Sequence, residues 1–170
     1  LTGLDPYLRE ISEHGFREKD TPQFLALWER LETTYFDRIA TVSAPQTGWR
    51  DCFRAAALET ARLVEQYPAN AHFLTVDALA AGELGRDRQR SLVIRAAALL
   101  DSARDEIADP DSVSESTSSW VAAMFFDRTY RRCINPDGPA LPSQLPELMF
   151  LATSAYFGIE VGLEELIPPP

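Results

Sequence analysis

The chain has 170 residues, 45% of them hydrophobic, enough for one well-buried domain without requiring a second. Its 26 acidic and 16 basic side chains leave a net charge of −10, a surface that repels phosphate backbones, so this region is not expected to grip nucleic acid itself. No apolar run approaches the roughly 20 residues of a membrane span, and LTGLDPYLREISEHG lacks the basic and apolar blocks of a secretory signal.

Strand-like alternation is almost absent, whereas apolar residues at steps of three and four recur between Pro, Gly and Ser clusters. Residues Pro6 to Glu13 form a short predicted helix. In EKDTP, Asp20 or Thr21 can cap and Pro22 suits a first turn, so a helix runs from there to about Ala40 with Phe24, Leu27, Trp28, Leu31, Tyr35 and Ile39 on one face. After the SAPQTG loop, Trp49, Phe53, Ala56, Ala57, Thr60, Val64 and Tyr67 mark a helix that stops at Pro68. A shorter one, about Ala69 to Ala81, is apolar on most sides, and Gly82 and Gly85 interrupt it. GRDRQR reads as a charged, solvated turn leading into SLVIRAAALLDSARDEI, helical to about Ile107.

Ser112 and Glu115 have the spacing of a capping box for a helix over about Val113 to Ile134, which carries Trp120, Val121, Met124, Phe125, Phe126 and Tyr130. The loop NPDGPALP then leads to a last helix, Leu141 to Leu166, spanning roughly 39 Å as a single rod. One stripe of that rod runs Leu145, Leu148, Met149, Ala152, Ala155, Tyr156, Ile159, Leu163 and Leu166. A second set, Phe150, Leu151, Phe157 and Val161, projects from the other side, with small residues (Ala152, Ser154, Ala155, Gly158) that admit a close backbone. One face therefore packs on its own subunit and the other on a second copy, unless the rod is simply a central core helix. The expected fold is all-α, a single bundle of roughly six to seven helices ending in Pro168 to Pro170.

Cys52 and Cys133 lie in apolar helical patterns and read as buried free thiols, which fits a reducing cytoplasm. His14 and His72 have no second His or Cys at i+3 or i+4, and no GxSxG, phosphate loop or HExxH occurs. No metal, no cofactor and no catalytic activity are expected.

The segment LPELMFLATSAYFGIEVGLEEL is similar to the closing helix of the effector-binding domain of TetR/AcrR-family transcriptional regulators, where an LPELxxL…Y(L/F)G…A…EEL pattern is common. FLTVDALAAGEL followed by RQRSLVIRAAALLD resembles the middle of that domain, and FLALWERLETTYFDRI its first long helix, so the likeness covers about residues 16 to 166. It implies a two-fold homodimer in which the last two long helices of each subunit form a four-helix interface, with a ligand cavity between the preceding helices. The expected interface is Ser119, Ala123, Phe126, Phe150, Ser154, Phe157 and Val161.

The expected ligand site is Phe53, Ala57, Phe73, Asp77, Trp120, Met124 and Asp127, with Asp77 or Asp127 giving a polar contact in an otherwise apolar cavity that also draws on Phe125. The plainer account is that Asp77, Asp127, Glu59 and Tyr156 each turn outward or pair with an Arg (Arg128, Arg131 or Arg132).

Family function also needs an amino-terminal helix-turn-helix. LREISEHG and HGFREKD resemble its opening and closing segments, but the recognition helix that belongs between them is absent. Residues 1–20 are thus expected to be a remnant of, or lead-in to, a DNA-binding region, and 21–167 the ligand-binding and dimerisation domain of a cytoplasmic repressor that answers an apolar or amphipathic effector. The missing initial Met favours a DNA-reading segment removed from in front; the alternative is a stand-alone small-molecule-binding or dimerisation module that has lost DNA binding.

Overall fold

A computed structural model describes residues 6–167. Leu1 to Asp5 and the three closing prolines, where a remnant and an ordered end were expected, lie outside the described residues. Every regular element among the described residues is helical, as expected of an all-α bundle.

Helix α1 (Pro6–His14) and the first half of α2 (Thr21–Ser43) close the amino-terminal end of the molecule. Asp20 and Pro22 start α2 where the sequence placed it. Phe24, Leu27, Trp28, Leu31 and Tyr35 recur at the helical period and are all buried. They meet Leu8 and Ile11 of α1, Leu63 of α3 (Trp49–Gln66) and Phe73 in one core. Phe24, Trp28 and Phe73 form an aromatic cluster with ring centroids 5.2 to 6.2 Å apart.

Beyond Pro68 the chain forms α4 (Pro68–His72), a wider π-helical turn over Phe73–Asp77, and α5 (Ala78–Ala80). A π turn leaves carbonyls out of register with the α-helical ladder. The buried Gln89 side chain answers two of them, donating to Leu74 O and Thr75 O at 3.0 Å each. Gln89 belongs to α6 (Glu83–Leu100), so GRDRQR is not the turn expected but the first part of this helix. Helix α6 ends at Leu100, short of Ile107, and the chain tightens into a 3₁₀ segment, Asp101–Glu106.

The capping box does not form. Ser112 closes a separate 3₁₀ turn, Pro110–Ser112, and α7 (Thr117–Ile134) begins only at Thr117. The Arg104 guanidinium explains the delay: it donates to the carbonyls of Pro110, Val113 and Ser114, so these carbonyls are engaged outside α7.

The single carboxy-terminal rod is also corrected. A 3₁₀ turn, Leu141–Gln144, precedes α8 (Leu145–Phe157); Gly158 breaks the helix, and α9 (Ile159–Leu163) with a last 3₁₀ turn, Glu164–Leu166, packs back on α8. Gly158 has φ 86°, which residues other than glycine rarely adopt. Gly162 completes the return, since a Cβ there would collide with Ser154 Oγ and lie 3.0 Å from Phe150 O. The break resets the helical phase. Leu145, Leu148, Met149, Ala152 and Tyr156 are buried as their stripe requires, but Ala155, Ile159, Leu163 and Leu166 are exposed.

Glu165 ties this hairpin to the start of α3. Its nearly buried carboxylate accepts from Arg50 Nε at 2.9 Å and from Arg54 Nη2 at 2.8 Å. Glu65 does the same on another edge: it accepts two bonds from Arg132 at 2.8 Å and one from Leu141 N at 2.9 Å. Arg132 holds the Glu65 carboxyl below its ordinary pKa. No described helix is long and apolar enough to cross a membrane.

Candidate ligand cavity

A cavity of about 610 Å³ lies between α2, α3, α4, α6 and α7. That volume suits a small organic ligand. Its size follows from small side chains where the helices face each other: Ala40 on α2, Ala56 and Ala57 on α3, Ala71 on α4, Ala96 on α6 and Ala122 on α7 all line it. Larger walls come from Tyr35, Phe36, Trp49, Phe53, Phe125 and Phe126. Trp49 is fixed at three points. Its ring stacks on Phe53 at 4.9 Å, its Nε1 donates to Leu100 O at 3.1 Å, and its backbone N donates to Glu106 Oε1 at 2.6 Å.

Polar groups in the wall are largely committed to their own helices. The Thr60, Thr75 and Thr129 hydroxyls donate to the carbonyls four residues back, at 2.9, 2.7 and 3.0 Å. The Tyr35 hydroxyl is occluded, makes no hydrogen bond among the described residues, and is held above its ordinary pKa by burial.

The exposed lining residues, Asp37, Ala40, Arg95, Leu99 and Ser102, belong to α2, α6 and the 3₁₀ segment after it, so the cavity opens between those elements. One side chain spans the slot: Arg95 Nη1 donates to Glu32 Oε1 at 2.7 Å, while its guanidinium lies 4.0 Å above the Phe36 ring. The second oxygen of Glu32 accepts from Trp28 Nε1 at 3.0 Å.

The expected ligand residues scatter. Phe53 and Ala57 line the cavity. Phe73 instead sits in the closed aromatic core, fully buried, because the π turn swings it toward Phe24 and Trp28. Asp77 does not line the cavity either; it meets His72 Nδ1 at 3.0 Å. Met124 packs between two apolar clusters and leaves the cavity wall to Phe125. Trp120 is 75% exposed, and Asp127, also outward, pairs with Arg131 at 2.7 Å. Glu59 pairs with an arginine, but with Arg38 at 2.8 Å and not with Arg128, Arg131 or Arg132.

The expected interface set divides as well. Ser119 and Ala123 are exposed on α7, but Phe126 lines the cavity. Phe150, Ser154, Phe157 and Val161 are half-buried within their own subunit, because the folded-back α9 covers that side of α8. Phe157 packs 5.6 Å from Trp49. The large apolar side chains left exposed on α7 to α9 are others: Trp120, Ile134, Leu151, Ile159 and Leu163.

A smaller cavity, about 270 Å³, adjoins the first across Val64 and is lined by Glu65, His72, Arg132 and Cys133 among others. Burial raises the Cys133 thiol above its ordinary pKa, the opposite of what an activated nucleophile needs. Among the described residues, no three His, Cys, Asp or Glu side chains gather to hold a metal ion.

The α2 and α6 walls were missed in the sequence because Tyr35 and Ile39 continue the core stripe that starts at Phe24, while Phe36 and Ala40 lie beside it. The usable signal was the run of alanines on the facing helices. In comparisons with known proteins, no family model, no curated protein and no solved structure matches this chain.

Proposed function

We propose that this chain is the sensing and dimerising part of a ligand-responsive transcriptional repressor of the TetR/AcrR type. The observation that carries the reading is a large apolar cavity whose wall is the second half of α2, the helix whose first half is locked into the amino-terminal core. A molecule that fills the cavity presses between α2 and α6. Because Phe24, Trp28 and Leu31 share one buried core with Leu8 and Ile11 of α1, displacement of the wall carries the amino-terminal end along as one body.

In a two-fold dimer that displacement changes the separation of two DNA-reading heads, which must stay near one helical turn of DNA, about 34 to 36 Å. A ligand favouring the displaced arrangement shifts the population off the operator, and one binding both arrangements equally shifts nothing. With a net charge of −10 these residues do not hold DNA, so operator contact falls to an amino-terminal helix-turn-helix.

The second copy is assigned to the exposed side chains Trp120, Leu151, Ile159 and Leu163, since large apolar groups left in water on consecutive elements mark association surfaces. Trp120→Glu and Leu163→Glu should each lower the molar mass in solution toward that of one chain; two variants of unchanged mass remove these helices from the interface. The regulatory reading is tested with the full natural protein. A cavity-binding compound should weaken its affinity for DNA flanking its own gene, and affinity unchanged at saturation overturns the sensor.

A further inference from the structure

We propose that the cavity takes a lipophilic cation, with a protonated amine or amidine head at the rim and an apolar body inside. This rests on the reading of the cavity as a ligand site and adds the charge of the ligand. The apolar walls discriminate by size alone, so charge is selected at the mouth.

Three side chains charged at neutral pH line the cavity: Glu32, Asp37 and Arg95. They leave one negative charge uncompensated, in a molecule whose net charge is already −10. The Asp37 carboxylate is exposed and enters no ion pair among the described residues.

The rim also already holds a cation. The Arg95 guanidinium lies on the Phe36 face and against Glu32 Oε1, which is the pairing of ring and carboxylate that receives an organic cation. Arg95 is 54% exposed and swings into water readily, whereas Glu32 is 13% exposed and pinned by Trp28. A ligand head therefore replaces Arg95 on a site that stays in place.

An anionic head has no equivalent. It must face Asp37, or take Arg95 and leave the Glu32 carboxylate stranded. Turned inward, it meets threonine hydroxyls that already donate to backbone carbonyls.

The experiment compares three ligands of one length, decylammonium, 1-decanol and decanoate, below their aggregation limits and followed by calorimetry. Decylammonium should bind about ten-fold tighter than decanol, and decanoate weakest. Asp37→Asn and Glu32→Gln should each cost decylammonium about five-fold and leave decanol unchanged, and Arg95→Ala should tighten decylammonium. Asp111→Asn, the same charge change at an exposed carboxylate away from the cavity, should alter nothing. Equal binding of decylammonium and decanol, or decanoate binding tightest, overturns the charge assignment while the cavity stands as a ligand site. Decylammonium affinity that falls equally with Asp111→Asn reduces the effect to bulk attraction and also overturns it. Binding of none of the three removes both readings.

Discussion

The two halves of α2 face opposite kinds of interior. Toward α1, Phe24, Trp28 and Leu31 meet Phe73 and Leu63 with no side chain more than 1% exposed. Toward the carboxy terminus, Phe36, Ile39, Ala40 and Ser43 meet a cavity, because alanines of α3, α6 and α7 stand opposite. Both halves follow the same apolar period; they differ in the volume set against it. The closed half is held mainly by packing, with one ion-pair cluster, Arg17 with Glu10 and Asp20, at its start, whereas several ion pairs brace the edges of the open half: Arg50 and Arg54 with Glu165, Arg132 with Glu65, Arg38 with Glu59, Arg95 with Glu32. A cavity this size gives up dispersion contacts along its walls, and directional polar anchors compensate without filling it.

The sharpest way to break that contrast is Phe73→Ala. In a gap-free core it should lower unfolding free energy by about 4 kcal/mol, read by denaturant titration. A loss under about 1.5 kcal/mol would mean the closed half has slack like the open one. Next is Glu165→Gln, which removes the buried anion that Arg50 and Arg54 share and leaves each only its outer partner, Glu164 and Asp51. Since both guanidiniums stay partly in water, the loss should fall at the low end for a broken buried pair, about 3 kcal/mol. If that variant is as stable as the parent, the hairpin is fastened to α3 by packing alone.

Glu65→Gln adds a pH test. Arg132 holds the folded-state carboxyl below the ordinary value of 4.5, so the stability it contributes is complete above that value and is lost as pH falls through the lowered folded one. At pH 7 the variant should be about 2 kcal/mol less stable than the parent. The gap should narrow below pH 4.5 and vanish in stronger acid. A gap constant from pH 7 down to pH 3 would assign the loss to shape rather than charge.

Much of the fold was legible because period-3.6 stripes and proline punctuation act locally; α1, α2 and α3 start where Pro6, Asp20–Pro22 and Gly48–Trp49 indicate. Long-range contacts decided what was not legible. The reach of Arg104 delays α7 against a good capping-box sequence, and Gln89 holds the π turn from another helix. Gly158 stood in plain view, but one glycine in an apolar helical run is tolerable, and only the fit of Gly162 onto Ser154 turns it into a hairpin. That hairpin is why the faces expected to meet a partner are half-covered. The ligand site was legible only in part. Phe53 and Ala57 share a helix face that points inward, while Phe73 and Trp120 sit on apolar stripes whose phase depends on the π turn and on where α7 starts. Sequence period says that a residue is on a face, not what volume lies opposite it.

That last distinction has a direct test with a small expected effect on stability. Ala56→Leu adds three carbons to the cavity wall, where space is already available, so it should change unfolding free energy by less than about 1 kcal/mol. The same substitution at Ala61, 1% exposed and away from the large cavity, should cost about 2 kcal/mol through overpacking. The two sites lie on one helix and differ by five positions, so helix propensity cancels between them. Ala56→Leu should also weaken decanol and decylammonium alike, because it removes volume and leaves the rim charges in place. If Ala56→Leu costs as much as Ala61→Leu, the open half has no room for a guest. If it is tolerated but ligand binding persists, the binding site lies elsewhere.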